Sequence, residues 1–275
     1  MKKYFTTYAD DRYSESRERI KKEAENLGIF DKVFAFKPDD LSERLKNSRI
    51  MKYEKGGGYW IWKPYIVKKT LEQMSDGDIL VYIDSGCSLF PSKEWNRYFK
   101  ILEKKDFVIF KITRKCGPYT KRSLLEFFNK RIGPFWKHYY HIASGIIFLK
   151  KTDFSVSLID EWEKLCTEEN LIDVREEEKG EQFPDFVDHR HDQSVFAGVV
   201  YCHENGPIKI LPQDFEGRRI GQAIWASRFL NGGQKHGMSP RSNFRFHLTR
   251  PIRIFFENIT YSYWKLKNKL FINKT

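Results

Sequence analysis

The chain is poor in cysteine and has no C-x-x-C pair. Its four cysteines, Cys87, Cys116, Cys166 and Cys202, lie far apart. That spacing excludes a zinc ribbon and a disulfide scaffold, and it fits reduced thiols in a cytosolic enzyme. No run of about 18 apolar residues is present, so no segment reads as a membrane span. The opening Met1-Lys2-Lys3-Tyr4-Phe5-Thr6-Thr7-Tyr8 turns polar too early for a signal peptide. The expected location is the cytoplasm. There is no internal repeat, no low-complexity linker, no G-x-x-x-x-G-K-[ST] loop and no G-x-G-x-x-G fingerprint. What is present is a 275-residue chain with 40% apolar and 16% aromatic residues. Such a chain is long enough for a sizeable core and too aromatic to be disordered.

Charge is one-sided. The net charge is +12 and the isoelectric point about 9.3, a field that attracts polyanions such as nucleotides, anionic lipid or nucleic acid. Residues 250–275 carry Arg250, Arg253, Lys265, Lys267, Lys269 and Lys274 against the single acid Glu257. Phe255, Phe256, Tyr261, Tyr263, Trp264 and Phe271 interleave with these cations. A cationic aromatic helix of this kind lies well on an anionic membrane surface, where each cation adds on the order of 1 kcal/mol. Docking on the protein's own core and a nucleic-acid arm rank behind that reading. No nucleic-acid module motif appears, so nucleic acid is not an expected partner.

The first half alternates strand and helix signals. Lys3–Tyr8 reads as a strand, 12–27 as a helix stopped by Gly28, and Lys32–Phe36 as a second strand. A helix begins near Pro64, and the strand 78–83 is continuously apolar from Ile79 to Ile83, which marks a strand buried on both faces. A helix over 92–104 and a strand from Phe107 follow. This is βαβ grammar, and such sheets bind ligands beyond the carboxyl ends of their strands. In the second half, 142–149 reads as one strand carrying Ser144-Gly145. Thr152 caps a helix, 173–188 is an acidic excursion, and 191–201 is helical. Residues 214–242 have no clear period and read as a loop.

Four groups of residues could carry chemistry. Asp84-Ser85-Gly86 ends the buried strand; a carboxylate there accepts from a ribose hydroxyl or holds a divalent cation against a diphosphate. The plain alternative is a turn aspartate before glycine. Lys63, after Gly56-Gly57-Gly58-Tyr59-Trp60-Ile61-Trp62, stands at a helix start and could meet a phosphate, or could be a solvated cap. Asp192-Gln193 could face a sugar, since carboxylate and amide pair well with hydroxyls, or could simply cap a helix. His247 sits in an aromatic stretch and could close back onto a metal, or pack.

In order along the chain stand Gly58-Tyr59-Trp60-Ile61-Trp62-Lys63-Pro64-Tyr65, Gly77-Asp78-Ile79-Leu80-Val81-Tyr82-Ile83-Asp84-Ser85-Gly86-Cys87, Tyr119-Thr120-Lys121-Arg122, Ala143-Ser144-Gly145-Ile146-Ile147-Phe148 and His189-Arg190-His191-Asp192-Gln193-Ser194. Together they resemble a family of bacterial GT-A-type glycosyltransferases found in capsule and lipopolysaccharide (surface polysaccharide) gene clusters. The resemblance covers roughly residues 1–215. It implies a GT-A-like, Rossmann-like mixed α/β sheet flanked by helices, with a C-terminal helical tail. The implied division is a catalytic domain over 1–249, with a nucleotide half 1–112 and an acceptor half 113–249, then the tail 250–275.

The implied activity is transfer of a sugar from a nucleotide-diphosphate sugar, a uridine-diphosphate sugar first, to a saccharide or lipid-linked saccharide acceptor at the inner face of the membrane. Thr7 and Tyr8 would border the base, and Lys63 the ribose or diphosphate. Asp84, Ser85 and Gly86 would take the D-x-D position, with Ser144 and Gly145 at the sugar and Asp192 and Gln193 at donor sugar or acceptor. The sequence departs from that family where the second carboxylate should stand: it has Gly86. Two routes stay open. Mn²⁺ or Mg²⁺ is held by Asp84 with His247, an imidazole favouring Mn²⁺. Alternatively cations such as Lys63, Lys121, Arg122, Arg218 or Arg219 neutralise the leaving diphosphate. Asp192 is the candidate base of an inverting route, with Asp188 and Asp214 behind it. A nucleotidylyltransferase-like enzyme is the other class, although Ala9-Asp10-Asp11-Arg12 stands where its Gly-rich basic signature would be.

Overall fold

The computed structural model describes the backbone of residues 1–230, 233–234 and 240–273, and the side chains of these except 229–247. The first half runs β1 (Lys3–Tyr8), α1 (Ser14–Asn26), β2 (Lys32–Phe36), α2 (Glu43–Lys46), α3 (Gly56–Tyr59), α4 (Trp62–Leu71), β3 (Ile79–Ile83), β4 (Ser88–Leu89), α5 (Glu94–Leu102) and β5 (Phe107–Lys115). The second half runs α6 (Arg122–Ile132), β6 (Tyr140–Ile142), β7 (Ile146–Lys150), α7 (Asp153–Cys166), α8 (Glu169–Ile172), α9 (Asp192–Cys202), β8 (Ile208–Pro212), β9 (Ile224–Trp225), β10 (Phe229–Leu230), β11 (Gly233–Gln234) and α10 (Pro240–Ile272).

Seven strands form one mixed sheet in the order β2-β1-β3-β7-β5-β6, with β8 added beside β5. β2, β1 and β3 are parallel, as the βαβ pattern requires, and β7 then enters antiparallel to β3. The sheet is therefore mixed, as expected from the sequence. β3 explains its own uniform apolarity. Leu80 and Tyr82 join the core on one face, Ile79, Val81 and Ile83 the core on the other, and all five are fully buried. Thr152 caps α7 as its position suggests: its Oγ1 accepts from the Ser155 amide at 3.2 Å.

The stretch 142–149 is not one strand. β7 pairs with the start of β5 and β6 with its far end, and Ala143-Ser144-Gly145 breaks the run between them. The break faces the carboxyl end of β3, where the Asp84 amide donates to the Gly145 carbonyl at 2.9 Å. A gap is thus opened in the middle of the sheet, next to the residue that ends its most buried strand.

α10 carries across residues 249 and 250 without interruption. One face of it is docked. Trp264 stacks on His138 with centroids 4.0 Å apart, and buried Asn268 donates to Tyr139 Oη at 2.9 Å and accepts from the Phe135 amide at 2.8 Å. Lys111 of β5 donates to Asn258 at 2.8 Å. The other face leaves Leu248, Ile252, Phe255, Phe256, Ile259, Tyr263, Leu266 and Leu270 exposed. No helix among the described residues is long and apolar enough to cross a membrane.

Candidate active site

A cleft of about 910 Å³ opens beyond the carboxyl ends of β1 and β3. It is lined by Tyr8 and Asp10 after β1, by Asp84, Ser85 and Gly86 after β3, by Ser144 and Gly145 in the strand break, and by Asp192 and Gln193 at the start of α9. Lys63, in the first turn of α4, reaches its floor. Open parallel sheets bind at this place because helix N-termini and strand ends converge there. α1 braces the loop after β3. Arg19 donates to the carbonyls of Ser85 at 2.9 Å and Cys87 at 2.8 Å, while Glu23 accepts from the Leu89 amide at 2.8 Å.

The floor is a single charged cluster. Lys63 Nζ lies 3.3 Å from Asp84 Oδ1, 3.4 Å from Asp192 Oδ2 and 3.3 Å from Ser144 Oγ. Ser144 donates to Asp192 at 2.8 Å, and Tyr82 Oη donates to Asp84 at 2.6 Å. Burial would push the Lys63 ammonium to lose its proton, but Asp192 and Asp84 outweigh that and hold its pKa above the ordinary lysine value. Asp192 is almost fully buried, and burial raises its carboxyl to about 6 despite Lys63 and Ser144. Asp84 differs: its side chain is 40% exposed to the cleft. One carboxylate is thus open to a ligand and the other is poised to gain or lose a proton near neutrality.

Glycine at 145 makes the cluster possible. A Cβ there would collide with Asp84 Oδ2. Gly145→Ala is expected to push Asp84 off Lys63 and Tyr82 and to cost roughly 1–3 kcal/mol as an overpacked site. The midpoint of urea unfolding measures this, and an unchanged midpoint would show that Asp84 has room to move.

The glycines before α4 do something the sequence did not reveal. Gly56, Gly57, Gly58, Tyr59 and Trp60 all have positive φ, and Tyr59 and Trp60 donate to the carbonyls four residues back. This is one turn of left-handed helix, which costs roughly 1–2 kcal/mol for each residue bearing a side chain. Tyr59 is recruited into a stack on His191, itself at φ 46°, with its ring 4.0 Å away and nearly parallel, and the Trp60 ring lies tilted against the same imidazole at 6.0 Å. The Trp62 indole donates to the Gly56 carbonyl at 2.9 Å, and the Lys63 amide to the Trp60 carbonyl at 2.9 Å. The turn therefore fixes where α4 begins, and with it Lys63.

Other expected residues are placed elsewhere. Thr7 is fully buried within β1 and does not line the cleft; Tyr8 does, packed at a tilt against Trp62 with ring centroids 4.2 Å apart. Gln193 lines the cleft, with its amide 3.2 Å from His141 Nδ1. Lys121 is fully buried away from the cleft. Its ammonium donates to the carbonyls of Asn170 and Asp173 and pairs with Glu178 at 3.1 Å, tying down the acidic excursion. Arg122 is half exposed and pairs with Glu126 on its own helix. Arg218 and Arg219 also stand outside the cleft lining, with Arg219 paired to Glu94 and Asp214. Asp214 is occupied by Arg219 and Arg250, whereas Asp188 lines the cleft beside Lys55. The cations that do line it are Arg12, Lys46, Lys55, Lys63, Arg114, Arg190 and Arg228. Apart from Lys63 they come from loops, a strand end and short helical turns far apart in sequence, and only Arg190 stands within one of the quoted motifs.

The described residues do not form a metal centre. Among the described residues no group of three His, Cys, Asp or Glu side chains could hold an ion. Asp84 already takes Lys63 and Tyr82, and the second D-x-D position is Gly86. The His247 side chain lies outside the described residues.

No family model and no curated protein sequence matches the chain. Among solved structures it is similar to a glycosyltransferase involved in the glycosylation of the major capsid of PBCV-1, at 11% identity over 79% of this chain and 84% of that one, with a TM-score of 0.41. It is similar to the galactosyltransferase LgtC in complex with donor and acceptor sugar analogs, at 15% identity over 75% and 72% of the two chains, TM-score 0.38. It is also similar to the bifunctional IspDF from Campylobacter jejuni, at 11% identity over 80% of this chain and 52% of that one, TM-score 0.38. At these scores the likenesses assign neither a family nor an activity.

Proposed function

We propose that this chain is a GT-A-type glycosyltransferase, taking a sugar from a nucleotide-diphosphate sugar and placing it on a saccharide acceptor. The observation that carries the reading is the cluster of Asp84, Lys63, Ser144 and Asp192 on the floor of a cleft beyond β1 and β3 that is lined by both cations and carboxylates. The partly exposed carboxylate of Asp84 accepts from a ribose hydroxyl, and Tyr8 borders the base. Ser85 and Gly86 let the diphosphate pass close to the backbone. Ser144 and Gly145 border the sugar, and Gln193 offers its amide to a hydroxyl.

In the transfer, Asp192 takes the proton of the acceptor hydroxyl. That oxygen forms the new bond to the anomeric carbon as the bond from that carbon to the phosphate oxygen breaks. The electron pair leaves on the diphosphate, and cleft cations such as Arg12, Arg114 and Arg228 stabilise its charge. The stereochemical course in this scheme is inversion. The donor base is uracil in this reading, and residues 1–112 and 113–249 make up the nucleotide and acceptor halves.

The acceptor is lipid-linked, as in bacterial surface polysaccharide assembly. What supports this is the exposed apolar face of α10, flanked by Lys267 and Lys269, which would hold the enzyme on the inner membrane surface.

Thermal unfolding across nucleoside diphosphates tests the donor reading. A ligand at about 100 times its dissociation constant adds roughly 2.7 kcal/mol, a visible rise in Tm. Uridine diphosphate is expected to give this rise in the wild type and not in Asp84→Ala. No shift with any nucleotide would overturn the reading.

A further inference from the structure

We infer that Lys63 is the resident cation of this site: its ammonium occupies the position between Asp84 and Asp192 that a divalent metal would need, and the site works without one. The inference starts from the coordination around Nζ. Four oxygens surround it: Asp84 Oδ1 at 3.3 Å, Asp84 Oδ2 at 3.5 Å, Asp192 Oδ2 at 3.4 Å and Ser144 Oγ at 3.3 Å. The rings of Trp62 and Tyr82 lie 5.9 Å away and present their faces to the same charge. This is a cage for a monovalent ion, and the ion is tethered to the chain.

Three features keep it there. The Lys63 side chain is only 4% exposed, so the ammonium is held at the cleft floor largely shielded from water. The left-handed turn at 56–60 fixes the start of α4 and so the root of the side chain. Gly145, lacking a Cβ, lets Asp84 come in to meet it.

Mg²⁺ bonds oxygen at about 2.0–2.1 Å, well inside the spacing this cage has. To enter between the same carboxylates, a divalent ion would have to draw each inward by more than about 1 Å and drive the ammonium into the aromatic wall. There its charge would be buried without a partner, and the metal would lie beside a like charge. Gly86 supplies no further carboxylate to offset this. What remains for a ligand is the exposed part of the Asp84 carboxylate, which suits a hydroxyl donor.

Manganese alone tests the inference, read by the electron paramagnetic resonance signal of the free aqua ion. Adding wild-type protein is expected to leave that signal at full strength. Lys63→Met keeps the length of the side chain and removes its charge. It is expected to take up one Mn²⁺ per chain, and Lys63→Met with Asp84→Asn is expected to lose that uptake. Mn²⁺ uptake by the wild type that vanishes in Asp84→Asn would overturn the inference. So would a folded Lys63→Met protein, checked by circular dichroism, that takes up none.

Should Lys63→Met fail to fold, the wild-type titration still decides. The Tm rise given by uridine diphosphate is a second readout. It is expected to be the same in chelator as in Mn²⁺, and a rise that needs Mn²⁺ would overturn the inference. This last arm rests on the transferase reading. Absence of any nucleotide shift would count against that reading alone, because the metal titration stands without it.

Discussion

Asp192→Asn is expected to slow sugar transfer by roughly 10²–10⁴-fold, the usual contribution of a positioned general base. The substitution is nearly isosteric. An amide oxygen at the same place still accepts from Ser144 and Lys63, so the cluster keeps its hydrogen bonds and Lys63 keeps Asp84 as its counter-ion. What disappears is the ability to take a proton. The pH dependence separates this from a structural effect. With the carboxyl raised to about 6, the basic form of Asp192 accumulates as pH rises through that value, and the wild-type rate should climb with it. The variant should show no such step.

The stability consequence has the opposite sign. Folding favours the protonated acid, so the stability linked to Asp192 is fully present below its ordinary pKa of 3.8 and is lost as pH rises through about 6. Asparagine cannot ionise and escapes that loss. A slow variant therefore cannot be dismissed as an unfolded one. Turnover of the nucleotide sugar across pH 5–8 is the measurement. An unchanged rate at pH 8 would remove Asp192 from the role of base.

The second large effect belongs to the exposed face of α10. Ile252, Phe255 and Ile259 are each more than half exposed, and they lie on the face away from Trp264 and Asn268. Each side chain moved from water into lipid gains about 1.5–3 kcal/mol. Replacing all three by serine should therefore weaken binding to anionic phospholipid vesicles at least a hundredfold while leaving Tm within about 2 °C, since little core packing is touched. Vesicle co-sedimentation reads the result. Equal sedimentation of the two proteins would remove the membrane from the proposal. Deleting the helix is a poorer experiment. It would strip Trp264 from His138 and Asn268 from Tyr139, and would leave Lys111 of β5 without its Asn258 and Glu257 partners.

Much of this site could be read from the sequence because strand ends carry local signatures. The apolar run of β3 ends at Asp84, and Lys63 follows a glycine run at a helix start. Asp192 opens α9, so periodicity alone sets these three near element termini, where clefts form. Their convergence on one ammonium was beyond the reach of periodicity, because it depends on a strand break at 143–145 that reads as unbroken β sequence.

Lys121 shows the opposite failure. It stands in a motif-like run and carries the right charge, yet Glu178 and the carbonyls of Asn170 and Asp173, some fifty residues on, have claimed it. Long-range pairing of this kind leaves no trace in local pattern. The tail was readable as a cationic aromatic helix. That one face docks and the other stays bare depends on Tyr139 and His138, which lie in a segment with no periodic link to it.

The left-handed turn at 56–60 has a stereochemical consequence. Glycine is the one achiral residue, and three in succession let the chain reverse its hand for a single turn before chirality reasserts itself. Tyr59 and Trp60 are then carried in the mirror-image conformation as L-residues, held by the ring of His191. A D-residue at either position would sit there without strain, and an L-residue in place of Gly56 or Gly58 would meet the Trp60 ring or the Met51 backbone. The placement of the ammonium at 63 is thus tied to the handedness of a segment that ends three residues before it.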